Sequence, residues 1–271
     1  MITSISSDRR LLALLIAWCF GGFMEGMAGF GTAVAIPASM LAGLGFAPIP
    51  AVLLCLLANG VPTPYGSIGI PTVSLAGLVG LDSAHLAFVQ MVQLAPFYIV
   101  VPFLIVLVAG KVEGASIADR LRGVVVPTLV SGLAFTLPTM AVAAFVGPEL
   151  SVVVGSICAL AVTALLAMRA EHSGKLDERF HVAVEPHEAL TLGGALRAWS
   201  CFILIFILLM GTSKLVPFVN SALAPLSSSV QVFSGKNPGT LSFMWVNTPG
   251  IWIFLAAIVG GLIQGARPAQ M

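Results

Sequence analysis

Apolar residues fill this chain in runs too long and too unbroken for the interior of a soluble domain. Five runs, residues 84–109, 123–146, 151–168, 198–219 and 245–264, approach the roughly 20 residues that a helix needs to cross hydrocarbon and are predicted transmembrane helices. Residues 11–80 are equally apolar, but Gly and Pro interrupt them at short intervals. Residues 11–24 and 32–45 are each too short to span with ease. They are predicted to be the two half-helices of a re-entrant hairpin, 11–45, with Glu25–Gly31 at its tip. Residues 48–80 are predicted to make one crossing as a broken helix, interrupted near Pro62–Gly69. Irregular backbone survives at membrane depth only where protein buries it or it lines a wet cavity. Short, Gly/Pro-interrupted segments are the sequence mark of a transporter's binding site. The expected architecture is therefore an all-α, polytopic membrane protein, a single transmembrane domain over residues 1–271.

The polar stretches orient these segments. Lys and Arg favour the cytoplasmic side. Arg9 and Arg10 precede the first run, Lys111, Arg120 and Arg122 lie in the 110–122 loop, and Arg169, Lys175, Arg179 and Arg197 lie in the 169–197 loop. Arg267 follows the last run, and the opposite side holds only Lys214 and Lys236. This split puts both ends and the 169–197 cytoplasmic loop inside, and the 214–244 loop outside. Arg9 and Arg10 before "LLALLIAWCFGGFM" have the look of a secretory signal. The apolar character continues far past Glu25 without a small-residue cleavage site, so that reading is set aside. The chain starts almost at a membrane segment and stops just after one, which reads as part of something longer.

Composition agrees. Of 271 residues, 58% are hydrophobic and 8% charged, against about a quarter charged in soluble domains. A net charge of +1 implies no nucleic-acid partner. Cys19, Cys55, Cys158 and Cys201 are scattered through apolar runs without a CxxC pair, so they read as small buried hydrophobes. "HEALT" at 187–191 has Thr191 where a zinc motif needs its second His. No metal site and no cofactor are expected.

The candidate chemistry lies in the two irregular patches. Glu25 is the only Asp, Glu, Lys, Arg or His between Arg10 and Asp82. A charge at membrane depth costs roughly 2.5–3.5 kcal/mol on insertion scales, so such a residue is a functional candidate by default. Its structural alternative is a cap on the hairpin tip. Gly26, Gly29, Phe30, Gly31 and Thr32 follow it, and the glycines there permit close backbone approach. A half-helix starting near Thr32 would point its positive end at the tip, a ready anion site. The alternative is tight packing through small residues. The second patch offers Asn59, Pro62, Thr63, Tyr65, Gly66, Ser67 and Gly69, and its prolines prevent regular helix. Such a break frees backbone groups to face a substrate or an ion, or only to bond neighbouring helices. Ser67 in "YGSIG" lacks the first Gly of a nucleophile elbow, so an enzyme is not expected. Asp82 and Ser83 look like a helix cap, and Pro148 and Glu149 suit a first helical turn.

The block "GFMEGMAGFGTAVAIPASMLAGLGFAPIPAVLLCLLANGVPTPYGSIGIP" resembles the L-lactate permease family, bacterial carriers of lactate and glycolate. Weaker similarity continues through "PFYIVVPFLIVLVAGK", "VGPELSVVVGSICAL" and "LRAWSCFILIFILL". The resemblance implies proton-coupled uptake of L-lactate and related 2-hydroxymonocarboxylates such as glycolate across a bacterial cytoplasmic membrane. It also implies a fold built from inverted repeats with re-entrant hairpins, of which this chain would hold half. On that reading Glu25 carries the proton, and amides and hydroxyls around Gly29–Thr32 and Asn59–Ser67 hold the carboxylate. Residues 11–110 contain no Arg or Lys to do so. The family pattern E-G-x-x-G-F-G-x-P-V-A reads here with Ala33 in place of Pro. Its A-P-V-A-F-G is Val61-Pro62-Thr63-Pro64-Tyr65-Gly66, and the residue after Asn59 is Gly60. The rival expectations are a carrier of another organic anion and an inactive fragment that needs a C-terminal half.

Overall fold

A computed structural model of the protein describes residues 5–29, 31–174, 176–182, 192–212, 216–231, 240–246 and 248–266. Phe30 and the 187–191 stretch lie outside them. The chain divides into two compact units, Met1–Ala189 and Leu190–Met271, where the hydropathy pattern predicts a single transmembrane domain. Among the described residues, four helices are long and apolar enough to cross a membrane, or five if one bent pair counts as a span. The protein is a multi-pass, mostly helical membrane protein.

In the first unit, Asp8 caps the opening helix by accepting from the Arg10 amide. α1 (Arg9–Ala13), a π-helical stretch (Leu14–Phe20) and α2 (Gly21–Met27) then form one unbroken limb, Arg9–Met27, of 19 residues. The limb is longer than the 11–24 half-helix predicted, because the cap starts it earlier and the π-helical stretch carries it through. After a break at the tip the chain returns as α3 (Thr32–Gly43). The return is antiparallel. The space beside Gly21 is bounded by the Ala33 carbonyl and the Pro37 ring, and the Arg9 guanidinium lies over the Phe46 ring at 5.0 Å. The two limbs therefore start and end at the same level, which makes them a hairpin.

α4 (Pro48–Asn59) and α5 (Gly66–Val79), joined by a 3₁₀ turn at Thr63–Tyr65, form an apolar helix pair bent by 70° where a broken crossing is predicted. Next come α6 (Ser83–Ala109), α7 (Ile117–Leu121), α8 (Val125–Phe145) and α9 (Pro148–His172). Asp82 caps α6 by accepting from the His85 amide at 2.8 Å. Pro148 and Glu149 open α9, and α6, α8 and α9 pack in sequence order. Gly132 on α8 lets that helix rest on the Tyr98 carbonyl of α6, the close approach that small residues allow between membrane helices. The hairpin's first limb is the central element. Leu11–Cys19 are almost wholly buried, and Trp18 meets Tyr98 and Phe135 edge-on with ring centroids 5.7 and 5.1 Å away.

The base of this limb ties three polar segments together. Arg10 and Asp8 form a fully buried ion pair at 2.6 Å. Arg10 Nη1 donates to the carbonyls of Asp119, Arg120 and Arg122, and its guanidinium lies 4.0 Å over the Phe180 ring. Ser6 and Ser7 donate to the Glu171 carboxylate at the end of α9, and Asp8 bridges to His181. On the outside of this clasp, Arg179 holds the exposed Asp177 carboxyl down at about 2 through its side-chain and backbone hydrogen bonds.

In the second unit, α10 (Leu192–Ala198), α11 (Ser200–Thr212), α12 (Pro217–Leu223) and α13 (Pro249–Gln264) replace the two longer segments predicted at 198–219 and 245–264. Gly260 of α13 packs on the backbone of Cys201. Between α12 and α13 lies a hairpin that the pattern does not predict, β1 (Ser227–Gln231) paired antiparallel with β2 (Thr240–Met244). Trp245 Nε1 donates to Ser228 at 2.6 Å beside it.

Candidate functional site

The tip of the hairpin, the break between α4 and α5 and the first turns of α9 meet inside the first unit. At the tip, Glu25 is 4% exposed. Its carboxylate lies against Gly66, where any Cβ would displace it. Its Oε2 has no hydrogen-bond partner. A buried polar atom left this way is costly unless something engages it during function. Gly26 packs on Val152 and Val153 of α9.

The break is more contorted than Pro and Gly alone require. Ser67, Ile68 and Gly69 are all left-handed, with φ of +48°, +57° and +71°. For a β-branched residue such as Ile68 this is a true outlier. Backbone strain of this kind costs of order 1–3 kcal/mol per residue and clusters at functional sites. Three contacts hold it. The Ser67 hydroxyl donates to the Ala28 carbonyl at the hairpin tip. Gly29, itself at φ +57°, sits against Ser67, and Gly69 rests on the backbone of Pro148.

α3 starts beyond the tip. Its N-cap, Gly31, is left-handed and offers no side-chain cap. No side chain caps its first turn, but the Thr32 amide donates to the Gly29 carbonyl and the Val34 and Ala35 amides to the Gly31 carbonyl, so the pull of this helix start on an anion comes from its positive end and the Ala33 amide. Gly31 is exposed and Thr32 half-buried.

Glu25, Gly26, Gly29, Gly66, Ser67 and Gly69 are thus brought together, from two patches separated by some forty residues of sequence. The hydroxyls at the site are already engaged. Thr32 donates to the Gly29 carbonyl and Thr63 to the Asn59 carbonyl, each at 2.7 Å. The buried Tyr65 hydroxyl donates to the Ala87 carbonyl at 2.6 Å. Pro62 is buried and Thr63 exposed, and Asn59 ends α4 with its side-chain oxygen unpartnered. The sequence reading missed two groups. One is the start of α9, which forms a wall of the site. The other is the pair Trp18 and Tyr98, fully buried yet with Nε1 and hydroxyl unpartnered. Their signal is a polar-tipped aromatic inside an otherwise apolar run, in a chain with 2 Tyr and 4 Trp.

The profile of the L-lactate permease family matches residues 1–271. An L-lactate permease of Streptococcus iniae is 40% identical over 98% of this chain and 53% of its own length. One of Bacillus subtilis (strain 168) is 32% identical over 92% of this chain and 43% of its own length. A glycolate permease of Escherichia coli (strain K12) is 29% identical over 76% of this chain and 38% of its own length. The chain thus spans about half the length of these relatives, or less. No solved structure matches.

Proposed function

The chain belongs to the L-lactate permease family, and from that premise we propose that it serves proton-coupled uptake of L-lactate and related 2-hydroxymonocarboxylates such as glycolate across the cytoplasmic membrane of a bacterium. The observation that carries this is the buried Glu25, with one oxygen unpartnered, set against a strained left-handed turn. Neutral Glu25 tolerates an anion close by, and ionised Glu25 repels it. Proton and anion therefore load and leave together, by reciprocal linkage between two sites. The carboxylate is received at the positive end of α3 by the Ala33 amide, since the neighbouring hydroxyls of Thr32, Thr63 and Ser67 and the amides of Thr32, Val34 and Ala35 are spent on backbone carbonyls. The working partners are thus a small organic anion and a proton, within membrane lipid. The basic segments gather at the base of the first limb, which supports that end as the cytoplasmic one.

Glu25→Gln in the intact gene product tests the proposal, because it fixes the neutral form. The variant is expected to exchange labelled lactate across proteoliposomes yet fail to accumulate it when a pH step is applied. Accumulation with normal pH dependence would return Glu25 to the role of a structural cap. A carrier of a different small organic anion is the second reading. Ala33 and the 61–65 stretch favour it, because they depart from the family pattern beside the site. Competition of lactate uptake by a panel of monocarboxylates separates the two.

A further inference from the structure

Glu25 has to be ionised at one stage of such a cycle. A carboxylate at that depth needs a donor, or its charge is prohibitively costly. No Lys or Arg stands in residues 11–110. The groups that surround Glu25 on the elements packed about it can be taken in turn. Tyr65, beside the break, spends its hydroxyl on the Ala87 carbonyl. Glu149, in the first turn of α9, curls back over Gly147. Cys55 of α4 is a buried thiol, and Cys19 is engaged with Ser131 and Thr163. Trp18 Nε1 is unpartnered, but Trp18 precedes Glu25 on the same limb, and helical side chains lean toward the N-terminus. The indole therefore leans away from Glu25, while Glu25 leans toward the level of Trp18.

Tyr98 differs from all of these. It is fully buried on α6, its hydroxyl has no partner, and it packs on Phe135, whose ring edge fills the space beside Gly22, one turn before Glu25 on the limb. Its ring is held edge-on between Trp18 and Phe135, at 5.7 and 5.0 Å. The clamp sets where the hydroxyl can go. Two buried polar atoms on the elements that meet at Phe135 and Gly22 are thus both unsatisfied, one a donor and the other an acceptor.

We infer that Tyr98 is a positioning residue for Glu25: its phenol donates a hydrogen bond to the carboxylate once the proton has left, and disengages when the proton returns. The phenolic proton stays on Tyr98 throughout, and the transported proton leaves from Glu25. This rests on the proposed role of Glu25 as proton carrier, and it adds the group that makes ionisation at that depth affordable.

The test is Tyr98→Phe in the intact gene product, purified in detergent. The variant removes only an unbonded hydroxyl, so the fold is expected to persist. The first readout is infrared pH-difference spectroscopy of the protonated-carboxyl band, assigned by its loss in Glu25→Gln. Without the donor, the midpoint of this band is expected to move alkaline by about one pH unit, the size of one charge-assisted hydrogen bond. The second readout is transport, where pH-driven accumulation of lactate is expected to fall about tenfold while lactate exchange persists. An unmoved infrared midpoint overturns the inference, whatever transport does. A wild type that moves no lactate overturns the transport reading alone, because the spectroscopic arm still decides whether Tyr98 engages Glu25.

Discussion

At the base of the hairpin's first limb, Arg10 and Asp8 are both fully buried, and every nitrogen of the guanidinium donates to an acceptor. At the tip of the same limb, Glu25 is buried to nearly the same degree and one oxygen bonds to nothing. The base joins the N-terminal segment, the 110–122 loop and the end of α9 into one clasp. The tip touches a strained turn and glycines. A satisfied charge is an anchor with a single arrangement. An unsatisfied one is held in reserve for a partner that comes and goes, and its cost is borne by the packing around it.

This contrast can be broken at the base. Arg10→Ala leaves Asp8 charged and buried with the residue-10 amide but without its cation, and removing one member of a buried pair costs about 3–5 kcal/mol. The expected outcome is the largest loss of thermal stability in any single-site series along the limb, read by unfolding in detergent. A melting temperature close to wild type would mean that the clasp is not an anchor. The next effect lies in the strained turn. At Gly69 an added Cβ would lie 2.8 Å from the backbone of Pro148, at a φ of +71°. Gly69→Ala is therefore expected to cost about 2 kcal/mol of stability through backbone strain and overpacking. The smallest stability change sharpens the comparison most. Gly66 has ordinary backbone angles, φ −59° and ψ 153°, and its Cβ would clash with the far end of the Glu25 side chain while making ordinary contact with the Glu25 carbonyl. Gly66→Ala is expected to melt within about 1 kcal/mol of wild type while impairing pH-driven accumulation. If Gly66→Ala melts like Gly69→Ala, the Glu25 carboxylate is part of the rigid scaffold and the contrast between base and tip fails.

Much of the architecture is legible in the order of apolar and interrupting residues. The break within Pro62–Gly69, the cap at Asp82 and the new helix at Pro148 all follow from local chemistry, whereas the turn expected at Glu25–Gly31 begins only after Met27, since α2 runs through Glu25. Single residues there change backbone geometry or satisfy a helix end without help from distant parts of the chain. The limits of the first limb are less legible, because its start depends on the Asp8 cap and its length on a π-helical stretch that no residue type announces. The β-hairpin at 227–244 also escapes a hydropathy reading, since β1 is exposed along its whole length and has no apolar alternation to reveal it.

By itself the sequence determined that this is a helical membrane protein, that its family is that of the L-lactate permeases, and that Glu25 is the lone carboxylate in its first irregular region. Those are matters of composition, of long shared motifs and of local backbone preference. Only the tertiary structure decided which groups Glu25 meets. Gly66 lies some forty residues away, and no periodicity connects the two. It also decided that Ser67 spends its hydroxyl on the Ala28 carbonyl, while Tyr98 keeps its own free. Whether a buried polar group is satisfied depends on the atoms that the packed helices place beside it, and that is settled when they pack.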